Sequence, residues 1–321
     1  MERYKAAHEG AALADRSVRG RIRLTGSDRL SYLQGVLTND VAALTAGTGC
    51  YAALLTPHGR MISDMRVVEL GDATLLDLPG EFTAQVATHL ADFVFSEDVA
   101  VEDVSRSLSH FVVIGPASGK ALATTPLRSF ENRRMQVAGV DAIASGNDDF
   151  GVPAIDVFVV AEKKSIVLST LLESGVIRVD DPVLETMRIE AGVPRFGIDM
   201  GQDTIPLEAG LEQRAISLTK GCYVGQEVII RVLHRGHGRV ARRLVGFTLP
   251  ERAQAPPRGE RVWTGEREIG SITSSTWSPA LGRPIGLGYV HRDFVEPGTS
   301  VQVGQHAATV AALPFIVPAT R

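Results

Sequence analysis

The chain has 321 residues, 44% of them hydrophobic, with 33 Lys and Arg against 37 Asp and Glu and a formal net charge of -4. That length predicts two or three domains of ordinary globular composition, and the acidic balance argues against a general nucleic-acid binder, DNA included, because phosphate neutralisation needs a basic surface. Two cysteines, Cys50 and Cys222, build no disulfide framework, and two thiols are too few to ligate an iron–sulfur cluster within one chain.

Met1 to Asp15 mixes Glu2, Arg3, Lys5, His8 and Glu9 with small residues and has no apolar core of a signal peptide. No window reaches the roughly 20 apolar residues of a membrane span, so a cytoplasmic protein without membrane contact is expected. Arg21 to Leu24 alternates polar and apolar and predicts a strand. Ser27 or Asp28 then caps a helix with Leu30, Leu33 and Leu37 on one side. Cys50 to Leu55 and Met61 to Leu70 predict a hairpin around Pro57-His58-Gly59. Glu81 to Phe93 predicts a helix, with further strands at Val99 to Val101 and Phe111 to Ile114.

Ser145 to Val152 is polar and glycine-containing and reads as an exposed loop. Ile155 to Val160 is a strand and Ser165 to Glu173 a helix. Another helix opens at Asp180 or Asp181 with Pro182 in its first turn, carries Met187-Arg188-Ile189-Glu190, and stops at Gly192. Gln226 to Leu233 is a helix ended by Gly236. Beyond Arg243, closely spaced prolines and glycines punctuate short strands, the pattern of a small β-barrel. The interleaving of hairpins with helices predicts an α+β fold rather than a doubly wound sheet.

Lys220-Gly221-Cys222-Tyr223-Val224-Gly225-Gln226-Glu227 is the densest chemical signal in the chain. A thiol beside a cation ionises more readily, and the thiolate is the reactive form. Cys222 reads three ways: as a nucleophile or redox thiol helped by Lys220, as one thiolate of a cluster shared with a partner, or as a buried structural cysteine. Cys50, inside an apolar strand, reads as core. Arg231, His234, Arg235, His237, Arg239, Arg242 and Arg243 form a basic run that suits an anionic tail, an RNA or an acidic partner, or lies as a solvated loop.

The eight residues from Lys220 resemble the K-G-C-Y-x-G-Q-E signature of the YgfZ family of folate-binding proteins. Leu33-Gln34-Gly35 with Thr38-Asn39-Asp40, Gly59 to Asp64, Arg188 to Gly192, Gly270 to Ser274, Ser278-Pro279 and Leu313-Pro314-Phe315 are similar to segments of that family and of the wider aminomethyltransferase superfamily, in the same order. The resemblance implies a ring-like fold of two intertwined α+β subdomains, residues 1–240 with the second roughly 50–140, followed by a β-barrel over 241–321. It implies tetrahydrofolate or a one-carbon-substituted folate as cofactor. It implies support of iron–sulfur client enzymes, tRNA-modifying ones among them, with Cys222 as the working thiol. One-carbon transfer by an aminomethyltransferase and binding of tRNA or protein through the basic run are the alternatives.

By the same resemblance Glu190 accepts the paired N–H groups of a pterin, with room for the flat ring left by Ala191 and Gly192. Asp64 sits near the reactive nitrogens, where it orients them or moves a proton. The relatives carry two adjacent acids, and here Ser63 replaces the first, which puts aminomethyl transfer in doubt. Tyr223 offers a ring to stack on the pterin, and Arg239 and Arg242 hold the folate's glutamate tail.

Overall fold

In a computed structural model, residues 1–234 and 239–317 are described, and the chain divides into two compact units. The first comprises Met1–Asp148, Val152–Asp180 and Gln213–Gln226; the second comprises Asp149–Gly151, Asp181–Glu212 and Glu227–Arg321. The segment from Asp181 to Glu212 groups with the barrel strands, which themselves begin at Arg242. Among the described residues no helix is long and apolar enough to cross a membrane.

The first unit opens with α1 (Glu2–Glu9), β1 (Ala12–Asp15), β2 (Gly20–Thr25) and α2 (Arg29–Val36). Asp28 precedes α2 as expected of a cap, yet its carboxylate accepts from the Asp98 backbone N–H instead. The hairpin follows as β3 (Gly49–Leu55) and β4 (Met61–Glu69), then β5 (Thr74–Leu78), α3 (Thr83–Asp92) and β6 (Ala100–Asp103). The remainder is β7 (Leu108–Ile114), α4 (Ser118–Ala121), β8 (Asn132–Val137), β9 (Val140–Asn147), β10 (Ala154–Val160), α5 (Lys164–Glu173) and β11 (Ile177–Arg178).

These strands form two sheets, a five-stranded one ordered β3-β4-β5-β2-β6 and a six-stranded one ordered β11-β1-β7-β10-β9-β8. Consecutive strands β1 and β2 go to different sheets, which interlaces them. The five-stranded sheet runs from Gly20 to Asp103. Ile22, Leu24, Leu33, Leu54, Val67, Leu76 and Leu90 share one core against α2 and α3. Ser145 to Asn147 is not an exposed loop but the buried end of β9, paired with β10. Its polarity serves an interior network, as follows.

Asp77 on β5, His110 on β7 and Asp156 on β10 are buried together. The His110 Nε2 lies 2.8 Å from Asp156 Oδ1, and Nδ1 lies 3.5 Å from Asp77 Oδ1. Arg19 donates from Nε to both Asp77 oxygens, at 2.8 and 2.9 Å. Asn147 donates to Asp156 Oδ2 at 2.8 Å, and Arg16 stands 3.9 Å from Oδ1. Two arginines already balance the two carboxylates, and burial pulls the His110 pKa below 6.5 despite both neighbours. The cluster is an inter-sheet weld whose donors are occupied by arginine and asparagine, an arrangement that suits structure rather than a metal ion.

α7 (Glu212–Ala215) falls almost wholly in the first unit, and the second carries α6 (Asp181–Glu190) and nearly all of α8 (Gln226–His234). Gly236, the expected stop of α8, lies outside the described residues together with Arg235 and His237. Strands β12 (Arg242–Thr248), β13 (Arg261–Thr264), β14 (Arg267–Ser278), β15 (Arg283–His291), β16 (Ser300–Val303) and β17 (His306–Ala311) close into a six-stranded barrel ordered β12-β15-β14-β13-β16-β17. Phe247, Val262, Ile272, Val290, Val303 and Val310 fill its interior. The fold is thus α+β with a C-terminal closed barrel.

Stability should fall on acidification. Below pH 6.5 the unfolded chain takes up a proton that folded His110 refuses, a loss of about 1.4 kcal/mol per pH unit. Chemical denaturation as the pH falls below 6.5 should show that slope, and His110→Gln should flatten it.

Candidate functional site

The signature loop docks on the end of α2. The Lys220 Nζ donates to the carbonyls of Gln34 at 2.6 Å, Leu37 at 2.6 Å and Asn39 at 3.0 Å. The Ser217 N–H donates to the Thr38 carbonyl, the Val224 N–H to the Gly35 carbonyl, and Thr38 Oγ1 to the Ala215 carbonyl at 2.6 Å. The two motifs at 33–40 and 220–225 are therefore one structural unit. Gly225 turns at φ +84°, and a Cβ there would stand 2.5 Å from the Thr56 carbonyl oxygen, so only glycine fits against the β3–β4 turn.

This geometry corrects the expected role of Lys220. An ammonium has three donors, and three carbonyls take them, which leaves none for the Cys222 thiol. Burial pulls the Lys220 pKa from 10.5 to about 8, with Asp40 opposing. The lysine's charge acts instead on Cys50, whose thiol burial pushes up to about 12. Cys222 itself is exposed, so the buried structural reading of it does not hold. Tyr223 is buried rather than offered as a stacking platform, and Lys220 Nζ covers one face of its ring, 5.0 Å from the centroid.

Asp64 lies on β4, 7% exposed, and its Oδ2 accepts from the Tyr51 hydroxyl at 2.5 Å. Tyr51 on β3 is opposite Arg66, and Ala53 is opposite Asp64, so the two partners sit diagonally on one face of the hairpin. The Arg214 guanidinium stands 4.5 Å over the Tyr51 ring and binds Asp148 at 2.6 Å. Ser63 is fully buried and donates to the Asp64 carbonyl. Strand alternation turns residues 63 and 64 to opposite faces, so the missing acid at 63 takes nothing from the face that carries Asp64.

Within the second unit, Glu190 is the last residue of α6 and 2% exposed. The Ser278 hydroxyl donates to its Oε1 at 2.5 Å, and the Phe315 N–H donates to its backbone carbonyl at 3.0 Å. Two residues earlier, Arg188 binds Asp199 at 2.7 Å and pairs with Glu185; burial opposes its charge, but these carboxylates outweigh it and raise its pKa. Asp199 accepts from Thr273 and Ser274 of β14. The helix end is thereby locked to the barrel strand. Gly192 takes the left-handed turn expected, at φ +68°, but leaves no room for a ring: a Cβ would stand 2.9 Å from Leu313 Cβ. The small residues seat the chain's own Leu313-Pro314.

The basic run is partly neutralised. Arg242 reaches Asp203 at 3.3 Å and Glu208 at 3.4 Å and lies 4.8 Å over the Tyr289 ring, and Arg243 pairs with Glu212 at 2.9 Å. Arg239 is exposed. Sequence reasoning missed Tyr51, Arg214 and Ser278. Strand parity with Asp64 pointed to Tyr51 and the Ser278-Pro279 motif to Ser278, though not to its role; no local pattern points to Arg214.

A carboxylate offers several acceptor positions, and Glu190, a buried carboxylate, is of the chemical type that receives adjacent N–H donors such as those of a pterin.

Residues 2–220 match the GCVT N-terminal domain, and residues 242–316 match the glycine cleavage T-protein C-terminal barrel domain. The aminomethyltransferase of Saccharopolyspora erythraea is 30% identical over 97% of this chain and 88% of its own length. That of Listeria monocytogenes is 31% identical over 94% and 85%. The crystal structure of the glycine cleavage system aminomethyltransferase T from Bartonella henselae shares the fold, with TM-score 0.89 at 22% identity over 99% of this chain and 89% of that one. The likeness is to the aminomethyltransferase superfamily, and not to the YgfZ branch in particular.

Replacing Lys220 tests its reassigned role. Lys220→Met should lower stability by roughly 1–3 kcal/mol, the cost of leaving buried carbonyls without donors, in a denaturant titration. Alkylation of Cys222 by iodoacetamide, followed by peptide mass, should stay within about two-fold of wild type, since no ammonium donor reaches the thiol.

Proposed function

The chain belongs to the family built from the GCVT N-terminal domain and the glycine cleavage T-protein C-terminal barrel, and on that premise we propose that it is a folate-dependent one-carbon transfer protein of the aminomethyltransferase type. Proteins of this family use tetrahydrofolate as the one-carbon carrier. The observation that carries the reading is Glu190: a carboxylate buried at a helix end and aligned by Ser278 is built to receive paired N–H donors, and a pterin presents such a pair. The folate, when bound, supplies the nitrogens that carry the one-carbon unit.

The chain's own residues orient and move protons. Glu190 fixes the pterin through charge-assisted hydrogen bonds. Within the first unit, Asp64, aligned by Tyr51 on its hairpin, is the group chemically fit to orient nitrogens or to exchange a proton with them. Ser63 does not argue against this chemistry, because its side chain occupies the other face of the strand. Arg239, exposed, is available to a folate's glutamate tail, whereas Arg242 would have to leave two carboxylates to serve it.

A second reading is favoured by one observation, the exposed thiol of Cys222 at the centre of the Lys220 to Glu227 signature. In that reading the folate-binding body supports iron–sulfur client enzymes, and Cys222 does redox or cluster-handling work. Cys222→Ala separates the two: it should leave one-carbon transfer intact and abolish support of an iron–sulfur enzyme in cells.

Calorimetric titration with tetrahydrofolate is the primary test. Wild type should bind in the micromolar range, and Glu190→Gln should bind at least about ten-fold more weakly, the worth of one charge-assisted contact. Turnover in a glycine cleavage assay with the lipoyl carrier protein should accompany binding. Binding without turnover would favour the second reading, and no binding by the wild type would overturn both.

A further inference from the structure

We infer that Arg214 is a positioning residue for the Asp64 carboxylate, acting through the ring of Tyr51. The inference deepens the proposed role of Asp64 and rests on that reading. Its basis is a continuous chain of contacts inside the first unit. Asp64 Oδ2 accepts from the Tyr51 hydroxyl at 2.5 Å, and the Arg214 guanidinium covers that ring at 4.5 Å from its centroid. Asp148 Oδ1 binds Arg214 at 2.6 Å and Arg66 at 3.0 Å. Arg66 is the cross-strand neighbour of Tyr51 and also donates to Asn147 at 3.1 Å. Asn39 ties the two backbones, donating from one amide nitrogen to the Tyr51 carbonyl at 2.8 Å and the Arg214 carbonyl at 3.2 Å.

Each contact removes a freedom that Asp64 would otherwise have. The terminal torsions of aspartate and tyrosine are broad, so a carboxylate on a strand is not aimed by its backbone alone. The phenol donor selects one orientation of the carboxylate. The ring that carries the phenol is in turn held by a planar cation on its face. That cation is fixed at its far end by Asp148. Of the charged groups in this chain of contacts, Arg214 is the only one placed on the ring that donates to Asp64. A cation on the ring also polarises the O–H towards donation, which favours an ionised partner.

A cycle of variants on the ligand-free protein tests this. The Asp64 carboxyl carbon is followed by NMR through an acid titration in wild type, Tyr51→Phe, Arg214→Gln and the double variant. Each single change should raise the Asp64 midpoint by about one pH unit, and the double variant should move it no further than Tyr51→Phe alone. Arg214→Lys, which keeps a cation over the ring, should restore most of the shift. Arg214→Met keeps the length of the side chain and replaces the glutamine variant should that one not fold. Additive shifts would mean that Arg214 acts directly through space, and an unmoved midpoint that it does not act at all; either overturns the inference. In the folate-loaded protein Arg214→Gln should lower kcat with KM for the folate unchanged. A wild type without turnover would remove the role proposed for Asp64, while the non-additivity in the ligand-free protein would still decide the Arg214–Tyr51–Asp64 coupling.

Discussion

One buried ammonium holds the most informative loop of this chain in place. The last carbonyls of a helix have no partners within it, and α2 ends where polar chain must be covered. Lys220 reaches in from a segment far along the sequence and satisfies one such oxygen, at Gln34, with those of Leu37 and Asn39 just beyond the helix. Burial of a cation is unfavourable, and the depressed pKa of Lys220 expresses that; the three hydrogen bonds offset it. The same contact sets the path of residues 217–225, which leaves Cys222 on the surface and Tyr223 inside. Exposure of the thiol is thus a by-product of where the lysine goes. A substitution at Lys220 would disturb the thiol's position without touching its chemistry.

The second unit uses a different device to the same end. Glu190 terminates a helix whose Arg188 is locked to Asp199 and through it to β14. Those bonds fix the rotation of the helix about its axis. Ser278, at the end of the same strand, then meets the Glu190 carboxylate. A buried carboxylate costs a great deal unless hydrogen-bonded, and the Ser278 hydroxyl supplies one such bond to Glu190. Hydrophobic contact does the rest, with Ile189 of the helix clustered with Leu244, Ile285 and Leu287, and Leu313 and Phe315 packed against them.

Much of the architecture was legible because it depends on local periodicity and punctuation. The hairpin around Gly59, the helices carrying Val86 and Leu90 or Met187 and Glu190, and the proline- and glycine-spaced barrel each write their pattern into adjacent residues. The failures have a common physical cause. Ser145 to Asn147 looked solvated because its residues are polar, yet they are buried to complete a network with Asp156 from another strand. Lys220 looked like a partner of the neighbouring thiol because sequence proximity was the only distance available; its donors go to residues 34–39. Gly192 looked like space for a ligand, and the space is filled by Leu313. Arg242 looked like a free cation, and its acids lie at 203 and 208. In each case the deciding partner lies outside the local segment, nine residues on for Asn147 and far further for Lys220 and Gly192, where composition carries no signal.

The seating of Leu313 to Ile316 on the end of α6 also fixes an order of assembly. The first unit is complete once Gln226 has been synthesised, so its two sheets and the weld between them can close while the barrel is still being made. The end of α6 cannot. Its carbonyl at Glu190 receives the N–H groups of Phe315 and Ile316, and β17, just before them, is the strand that closes the barrel onto β12. During translation the Glu190 carboxylate therefore emerges early and waits, water-exposed, until the final strand arrives. The α6 end of this unit is the last part of the molecule to mature, and a truncation as short as the segment after Ala311 would leave a complete first unit and an unfinished second one.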